Sequence, residues 1–180
     1  MKYENTHTMP EAATPTRGFT LIELLVTLAV AAILLTIAVP NFQSFIINSR
    51  MTTQANDLIT AMNMARSEAV KRAADVTVCK SAGSSCTTSG NWAQGWIIKD
   101  AGVTVLRVQQ PLSGKSTLTG GTDVVNAITF TSNGRTRIPV AATDTTTTLT
   151  LCPPSPATVK GRAIQIERTG RTRVSSVTCP

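Results

Sequence analysis

An uninterrupted apolar run near the N-terminus most constrains how this chain can fold. Residues 24–39 contain no charged side chain, and the apolar segment extends back to Phe19. At ~1.5 Å per residue, a helix over residues 19–39 would be about 31 Å long, which is enough to cross the hydrocarbon core of a bilayer. We therefore predict that residues 19–40 form a membrane-spanning helix rather than part of a water-soluble core.

One carboxylate, Glu23, interrupts this apolar segment. A carboxylate inside a membrane segment is costly, and it usually indicates a functional site with a partner. The candidate partner is an α-amino group on Phe19, its own or a neighbour's, and the first helical turns also favour negative charge. The alternative is a carboxylate that reaches the membrane surface.

The small residue Gly18 precedes the apolar run, whereas a secretory signal is cleaved after its apolar core. Residues 17–24 read RGFTLIEL, which resembles the processing site of type IV prepilins and type II secretion pseudopilins. The resemblance implies that prepilin peptidase removes residues 1–18 by cleaving after Gly18, and that Phe19 is then N-methylated. It also implies that Glu23 guides docking among other pilin subunits in a filament.

The same resemblance implies where the protein is found. The precursor would be a single-pass inner-membrane protein with a periplasmic C-terminal domain, and the mature subunit would belong to a pilus filament that reaches the cell surface. Pro40 falls where pilins commonly carry a proline that kinks or melts the helix.

Pro40 is also expected to disturb the helix on physical grounds, because proline lacks an N–H and clashes with the preceding turn. Beyond it, apolar side chains recur every three or four positions, which indicates an amphipathic helix over residues 41–74. This apolar stripe is expected to pack on a sheet. It consists of Ile47, Met51, Ala55, Leu58, Met62, Ala65 and Ala69.

Residues 75–180 change to a period of two, which predicts a β domain and an α+β, type IV pilin-like fold with one long helix on a sheet. Residues 143–148 are predicted to be an exposed loop that enters a strand, with a glycosylation substrate as the alternative. The predicted strands cover residues 76–78, 96–98, 103–108, 128–131, 149–151 and 163–166.

Four cysteines occur in this exported part, and an even count there favours disulfides. Three pairings are formally available to four cysteines. We favour Cys79–Cys86, which flank a short Ser/Gly loop, and Cys152–Cys179, which would staple the chain end. A metal site is the alternative, but the chain has no Cys-x-x-Cys pair, and we expect neither metal nor cofactor.

An enzyme is not expected. The single histidine, His7, lies in the predicted leader. A mature chain without histidine has no Ser-His-Asp or Cys-His catalysis.

Basic residues concentrate near the C-terminus, in a chain whose formal net charge is +7. The tetrapeptide Gly-Arg-Thr-Arg occurs at 134–137 and again at 170–173. In an extended strand Arg171 and Arg173 would point to the same side, and Gly170 would permit a tight turn before them. Two guanidiniums so placed could grip phosphate oxygens. The alternative is a solvated face, or pairing with carboxylates of neighbouring subunits.

A second resemblance involves the β domain. Cys79-Lys80-Ser81 with Cys86, Gly95-Trp96, and Ile128-Thr129-Phe130 before Asn133-Gly134-Arg135 are similar to the FimT/GspH-like minor pilins and pseudopilins. Within that family, FimT-type minor pilins carry a C-terminal Gly-Arg-x-Arg element implicated in DNA binding.

The resemblance therefore assigns Gly170, Arg171 and Arg173 to binding the phosphate backbone of double-stranded DNA, in natural transformation. Lys160, Arg162 and Arg168 are added as candidate contacts to the DNA phosphates on the basis of their positive charge alone. The copy at 134–137 is interpreted as a packing turn, and Trp92 and Trp96 as core residues. The alternative function is a structural minor pilin or secretion pseudopilin that primes or caps a filament without binding DNA.

Overall fold

A computed structural model of the chain describes residues 18–102, 104–122, 124–137, 146–156 and 159–180. The predicted leader, apart from Gly18, lies outside these residues. The chain divides into two compact units, Met1–Pro40 and Asn41–Pro180.

The helix α1 spans Leu21–Arg72 and begins at a local cap. The hydroxyl of Thr20 accepts the backbone N–H of Glu23 at 3.2 Å. Threonine followed three positions later by glutamate is the sequence of a capping box, so Glu23 occupies a position that the helix start itself favours. Residues 21–40 are all exposed, and α1 is apolar and long enough near the N-terminus to cross a membrane.

The local melting of the helix that was considered at Pro40 is wrong, because α1 continues as a single α-helix through this residue. Proline removes one N–H donor from the helical ladder. That loss is confined to one turn, and a helix of 52 residues keeps its hydrogen bonds on both sides of it.

The second part of α1 presents the predicted apolar stripe to the domain core. Met51, Leu58, Met62 and Ala65 are fully buried, and Ile47 packs at the edge of the core. The helix ends at Arg72, two residues before the predicted end at Ala74. At this end Ala73 has a φ of +50°, and the N–H of Ala74 donates to the carbonyl oxygen of Ala69 at 3.2 Å.

Nine strands, all paired antiparallel, occur in the described residues. One sheet has the order β3-β2-β1-β5-β6 and the other the order β4-β7-β8-β9. The strands are β1 Val76–Lys80, β2 Trp96–Asp100, β3 Val105–Gln109, β4 Thr117–Gly120, β5 Ala127–Phe130, β6 Thr136–Arg137, β7 Thr146–Cys152, β8 Gly161–Glu167 and β9 Thr172–Val177.

All six predicted strands are present, and β4, β6 and β9 were not predicted. Most of β9 is exposed at a sheet edge, so it lacks the apolar alternation that reveals a strand. The predicted loop at 143–148 is wrong for residues 146–148, which belong to β7, and Thr147 is buried. Residues 143–145 lie outside the described residues.

Both tryptophans are core residues, as predicted, each only 1% exposed. The indole Nε1 of Trp92 donates to the carbonyl oxygen of Val124 at 3.2 Å. The buried core combines one face of α1 with both sheets, and its strand members include Val76, Val78, Ile98, Ile128, Phe130, Leu149, Leu151, Ile164 and Ile166.

The structure contains the disulfides Cys79–Cys86 and Cys152–Cys179, the pairing favoured from the sequence. Cys152 ends β7, and Cys179 lies just beyond β9. The second disulfide therefore fastens the end of the chain to the interior strand of its own sheet.

Candidate functional site

The two copies of Gly-Arg-Thr-Arg form the same local structure. In the first copy, Gly134 has a φ of +76°, which glycine adopts without strain. The N–H of Thr131 donates to the carbonyl oxygen of Arg135 at 2.8 Å, and the N–H of Gly134 donates to that of Thr131 at 2.8 Å. This is a three-residue hairpin loop with glycine in its left-handed position.

The second copy repeats this pattern between β8 and β9. Gly170 has a φ of +80°. The N–H of Glu167 donates to the carbonyl oxygen of Arg171 at 2.8 Å, and the N–H of Gly170 donates to that of Glu167 at 2.8 Å. The sequence repeat is thus a structural repeat, in which each glycine turn is followed at once by an arginine.

The two turns are in direct contact. The N–H of Thr136 donates to the carbonyl oxygen of Arg168 at 3.0 Å, and its hydroxyl donates to that of Glu167, also at 3.0 Å. Gly170 lies so close to Gly134 that an added Cβ would overlap the carbonyl oxygen of Gly134. The 134–137 turn therefore packs against the 170–173 turn, which contains the predicted DNA-binding residues.

Arg66 of α1 lies beside both turns. Its Nε donates to the carbonyl oxygen of Gly134 at 3.0 Å, and a Cβ placed on Gly170 would lie 3.0 Å from the same Nε. The helix thus fixes the position of both hairpin loops relative to the domain core.

The arginines of the two copies fall into two groups. The second arginine of each copy is ion-paired: Arg137 Nη2 lies 3.0 Å from Asp75 Oδ2, and Arg173 Nε lies 2.9 Å from Glu167 Oε1. Arg173, assigned to phosphate, is therefore already neutralised by a neighbouring carboxylate.

The first arginine of each copy, Arg135 and Arg171, is exposed. Arg168, the first residue of the second loop, is half-buried. Within the described part of the chain, the guanidiniums of these three residues make no hydrogen bond or ion pair. They leave a net positive charge on the surface that both turns form.

An open groove of about 420 Å³ lies on this surface. Its lining is basic or neutral, and no carboxylate belongs to it among the described residues. Guanidiniums beside hydroxyl and amide groups can bind an anion by charge-assisted hydrogen bonds. The lining residues are Thr131, Asn133, Arg135, Thr136, Arg137 and Arg168.

Two predicted site residues, Lys160 and Arg162, lie elsewhere. They are at the start of β8, and Arg168 follows its end, so the strand separates them by about 20 Å at ~3.4 Å per residue. Arg162 is also engaged, since its Nη2 donates to Asn48 Oδ1 at 2.8 Å. Arg162 therefore ties β8 to α1, and the structure does not bring Lys160 and Arg162 together with the two glycine turns.

Among the residues that the structure describes, no cluster of His, Cys, Asp or Glu side chains could hold a metal ion. Sequence reasoning set Arg135 aside with the packing turn at 134–137, and it missed Arg66 as the support of both turns. The internal repeat was the available signal for Arg135.

The fold and these features define a class. A long N-terminal helix packed on antiparallel sheets is the type IV pilin fold, shared by pilins and secretion pseudopilins. The prokaryotic N-terminal methylation motif matches residues 15–39, and this motif implies processing by a prepilin peptidase and assembly with other pilins. The model of the type II transport protein GspH matches residues 54–170, more than half of the chain, so the chain belongs to the GspH family.

Solved structures support the same fold. A crystal structure of the type IV minor pilin FimU from Pseudomonas aeruginosa strain PAO1 is 23% identical, with a TM-score of 0.55 over 71% of this chain and 89% of that one. A second crystal form of FimU is 23% identical, with a TM-score of 0.51 over 69% and 91%. No curated protein sequence matches this chain closely enough to count as a relative.

Proposed function

We propose that this protein is a minor type IV pilin that binds extracellular double-stranded DNA, without sequence preference, for uptake in natural transformation. The observation that supports this role is the guanidinium of Arg171. It is exposed and unpaired within the described residues, and it directly follows the left-handed Gly170 of a hairpin loop whose first residue, Arg168, lines a carboxylate-free groove.

Binding would be directed at phosphates rather than bases. Arginine is suited to phosphate oxygens because its planar guanidinium offers paired donors. The two tryptophans are buried, so they offer no platform for stacking bases. If three arginines engage three phosphates, the affinity for DNA should fall about 40-fold as the salt concentration rises from 50 to 200 mM.

The N-terminal segment carries the proposed maturation. Cleavage after Gly18 would expose the α-amino group of Phe19, which is then methylated. The Glu23 carboxylate makes no hydrogen bond or ion pair among the described residues, so it is available to the Phe19 amine of a neighbouring subunit. Mass spectrometry of the cell-derived protein should find an N-methylated Phe19 terminus, and an intact leader would contradict this proposal.

The membrane placement follows from the same segment. The apolar part of α1 would hold the precursor in the inner membrane with residues 41–180 in the periplasm, before the subunit enters the filament. The disulfides Cys79–Cys86 and Cys152–Cys179 suit an oxidising compartment.

The DNA proposal is tested with the full chain in a non-ionic detergent. Fluorescence anisotropy with a short random-sequence duplex would compare the wild type with Arg171→Gln/Arg173→Gln and with the charge-matched Arg107→Gln/Lys115→Gln. The first double variant should bind about tenfold more weakly at 50 mM salt with a flatter salt dependence, and the control should bind like the wild type. Equal binding by both variants would remove DNA capture from the C-terminal turn.

A structural role is the second candidate function. The ion pairs of Arg137 and Arg173, and the bond of Arg162 to α1, are basic contacts that stabilise the domain rather than meet a ligand. A wild-type chain that binds no DNA at 50 mM salt, yet is found in filaments, would favour a subunit that primes or caps assembly.

A further inference from the structure

We propose that Arg135 and Arg168 belong to one composite phosphate-binding groove with Arg171, so that both hairpins, and not the C-terminal copy alone, hold the DNA backbone. This inference rests on the proposed function and assigns its contacts. It moves the site from a C-terminal tetrapeptide to a surface built by two segments more than thirty positions apart in the sequence.

The two hairpin loops are structurally equivalent. Both loops have the same hydrogen bonds and the same left-handed glycine, so Arg135 and Arg171 leave their turns from equivalent backbone positions. A conformation that presents Arg171 to solvent presents Arg135 in the same way, and both residues are exposed.

The two loops are also attached to each other by hydrogen bonds and close packing. Thr136 donates twice to the 167–168 backbone, at 3.0 Å each time, and Gly170 packs against the carbonyl of Gly134. A DNA backbone that contacts one loop can therefore contact the other at a fixed distance from the first contact. Little entropy is lost when the two arginines bind the same DNA strand, because the fold has already ordered the backbones of both residues.

The arginines of the two loops differ in whether a carboxylate neutralises them. Arg137 is paired with Asp75 and Arg173 with Glu167. Their guanidinium groups are therefore less available to bind a phosphate. Arg135, Arg168 and Arg171 have no such carboxylate within the described residues. The groove that Arg135 and Arg168 line contains hydroxyl and amide groups in place of acids.

Salt dependence distinguishes this groove from a single-turn site. Three phosphate contacts give a slope of about −2.7 in log K against log salt, and each arginine lost removes about 0.9. The single variants Arg135→Gln, Arg168→Gln and Arg171→Gln should therefore each flatten the slope to about −1.8 and weaken binding about tenfold at 50 mM salt.

Arg107 provides the matched control. It is an exposed arginine on β3, which forms the opposite edge of the sheet that ends in β6. Arg107→Gln removes the same charge from the same domain, so it accounts for any general attraction between a basic protein and DNA. It should leave the slope within experimental error of the wild type.

The experiment titrates the full chain in non-ionic detergent with a random-sequence duplex at several salt concentrations, for the wild type and these four variants. If Arg171→Gln flattens the slope while Arg135→Gln and Arg168→Gln behave like Arg107→Gln, the composite groove is wrong and the DNA proposal stands. If all four variants lose the same small amount, binding is diffuse and the groove is wrong. A wild type that does not bind overturns both proposals.

A charge-preserving variant separates charge from fold. Arg135→Lys keeps the cation, so its slope should stay near that of the wild type, with unchanged circular dichroism. If Arg135→Lys flattens the slope as much as Arg135→Gln, then Arg135 acts through structure rather than through phosphate, and the inference fails.

Discussion

The backbone N–H of Thr136 donates to the carbonyl oxygen of Arg168 at 3.0 Å. β6 is an edge strand of the five-stranded sheet. The bond joins it to the loop that follows β8 in the four-stranded sheet. Because of it, two copies of one tetrapeptide become a single surface. The bond is the physical basis for treating their arginines together.

Glu167 is expected to limit DNA binding, because its carboxylate pairs with Arg173 at 2.9 Å. Glu167→Gln should free that guanidinium, steepen the salt slope by about 0.9 and tighten binding up to about tenfold at 50 mM salt. The ion pair is partly exposed, so stability should change by less than about 1 kcal/mol.

The measurement is the same anisotropy titration, with Asp57→Asn as a control that removes a carboxylate from α1. Equal affinity in the wild type and Glu167→Gln would mean that Arg173 does not reach DNA even when its partner is gone.

Gly170→Ala is expected to destabilise the domain. The residue has a φ of +80°, and an added Cβ would overlap the carbonyl oxygen of Gly134. The backbone conformation alone costs about 1–2 kcal/mol for a residue with a Cβ, and the overlap adds to that. Chemical unfolding of the full chain in detergent measures the loss.

Gly83→Ala is the matched control, because nothing lies within 4 Å of a Cβ there and its φ is not in the left-handed range. Equal stability of the two variants would contradict the close contact between the hairpin loops.

Ala73→Gly is expected to stabilise the protein. Ala73 follows the end of α1 with a φ of +50°, a position that glycine fills without strain. The gain should be about 0.5–1 kcal/mol, since relief of the left-handed conformation exceeds the added freedom of the unfolded chain. Ala74→Gly, which lacks the positive φ, should destabilise, and a loss of stability in Ala73→Gly would contradict the observed helix end.

The ion pair between Glu68 and Arg72 at the end of α1 is expected to make the stability of the protein depend on pH in the acidic range. Arg72 Nε lies 2.7 Å from Glu68 Oε2, and this hydrogen bond holds the pKa of the carboxyl below its ordinary value of 4.5. A carboxyl with a lowered pKa in the folded state stabilises the fold above its unfolded pKa, and that contribution is lost as the pH falls through the folded pKa.

Melting temperatures of the wild type and Glu68→Gln should therefore differ at about pH 7 and converge as the pH falls through the folded-state pKa of Glu68. A difference that stays constant across this range would show that the ion pair contributes nothing.

The sequence predicted the helical face well, because Met51, Leu58 and Met62 repeat at helical spacing and nothing competes with that signal. It also predicted the strands whose apolar residues alternate, such as β8. It failed for β9, whose exposed edge position removes the alternation, and for local melting at Pro40, where the loss of one N–H donor leaves the helix continuous.

The candidate site was only partly predictable for a related reason. The charge excess and the Gly-Arg-Thr-Arg repeat indicated arginines, but spacing alone could not show that Arg173 is paired with Glu167. Nor could it place Lys160 and Arg162 at the far end of β8. Contacts between distant segments decide which cations remain free, and they exist only in the fold.

Chemical footprinting of arginines would show directly whether Arg135, Arg168 and Arg171 contact DNA as one surface. An arginine-specific reagent such as phenylglyoxal would be applied to the full chain in detergent, with and without a random-sequence duplex at about 50 mM salt, a concentration low enough to favour phosphate contacts. Mass spectrometry would then give the modification of each arginine. We expect DNA to protect Arg135, Arg168 and Arg171 together and to leave Arg107 as reactive as before. Equal reactivity of all four with and without DNA would contradict it.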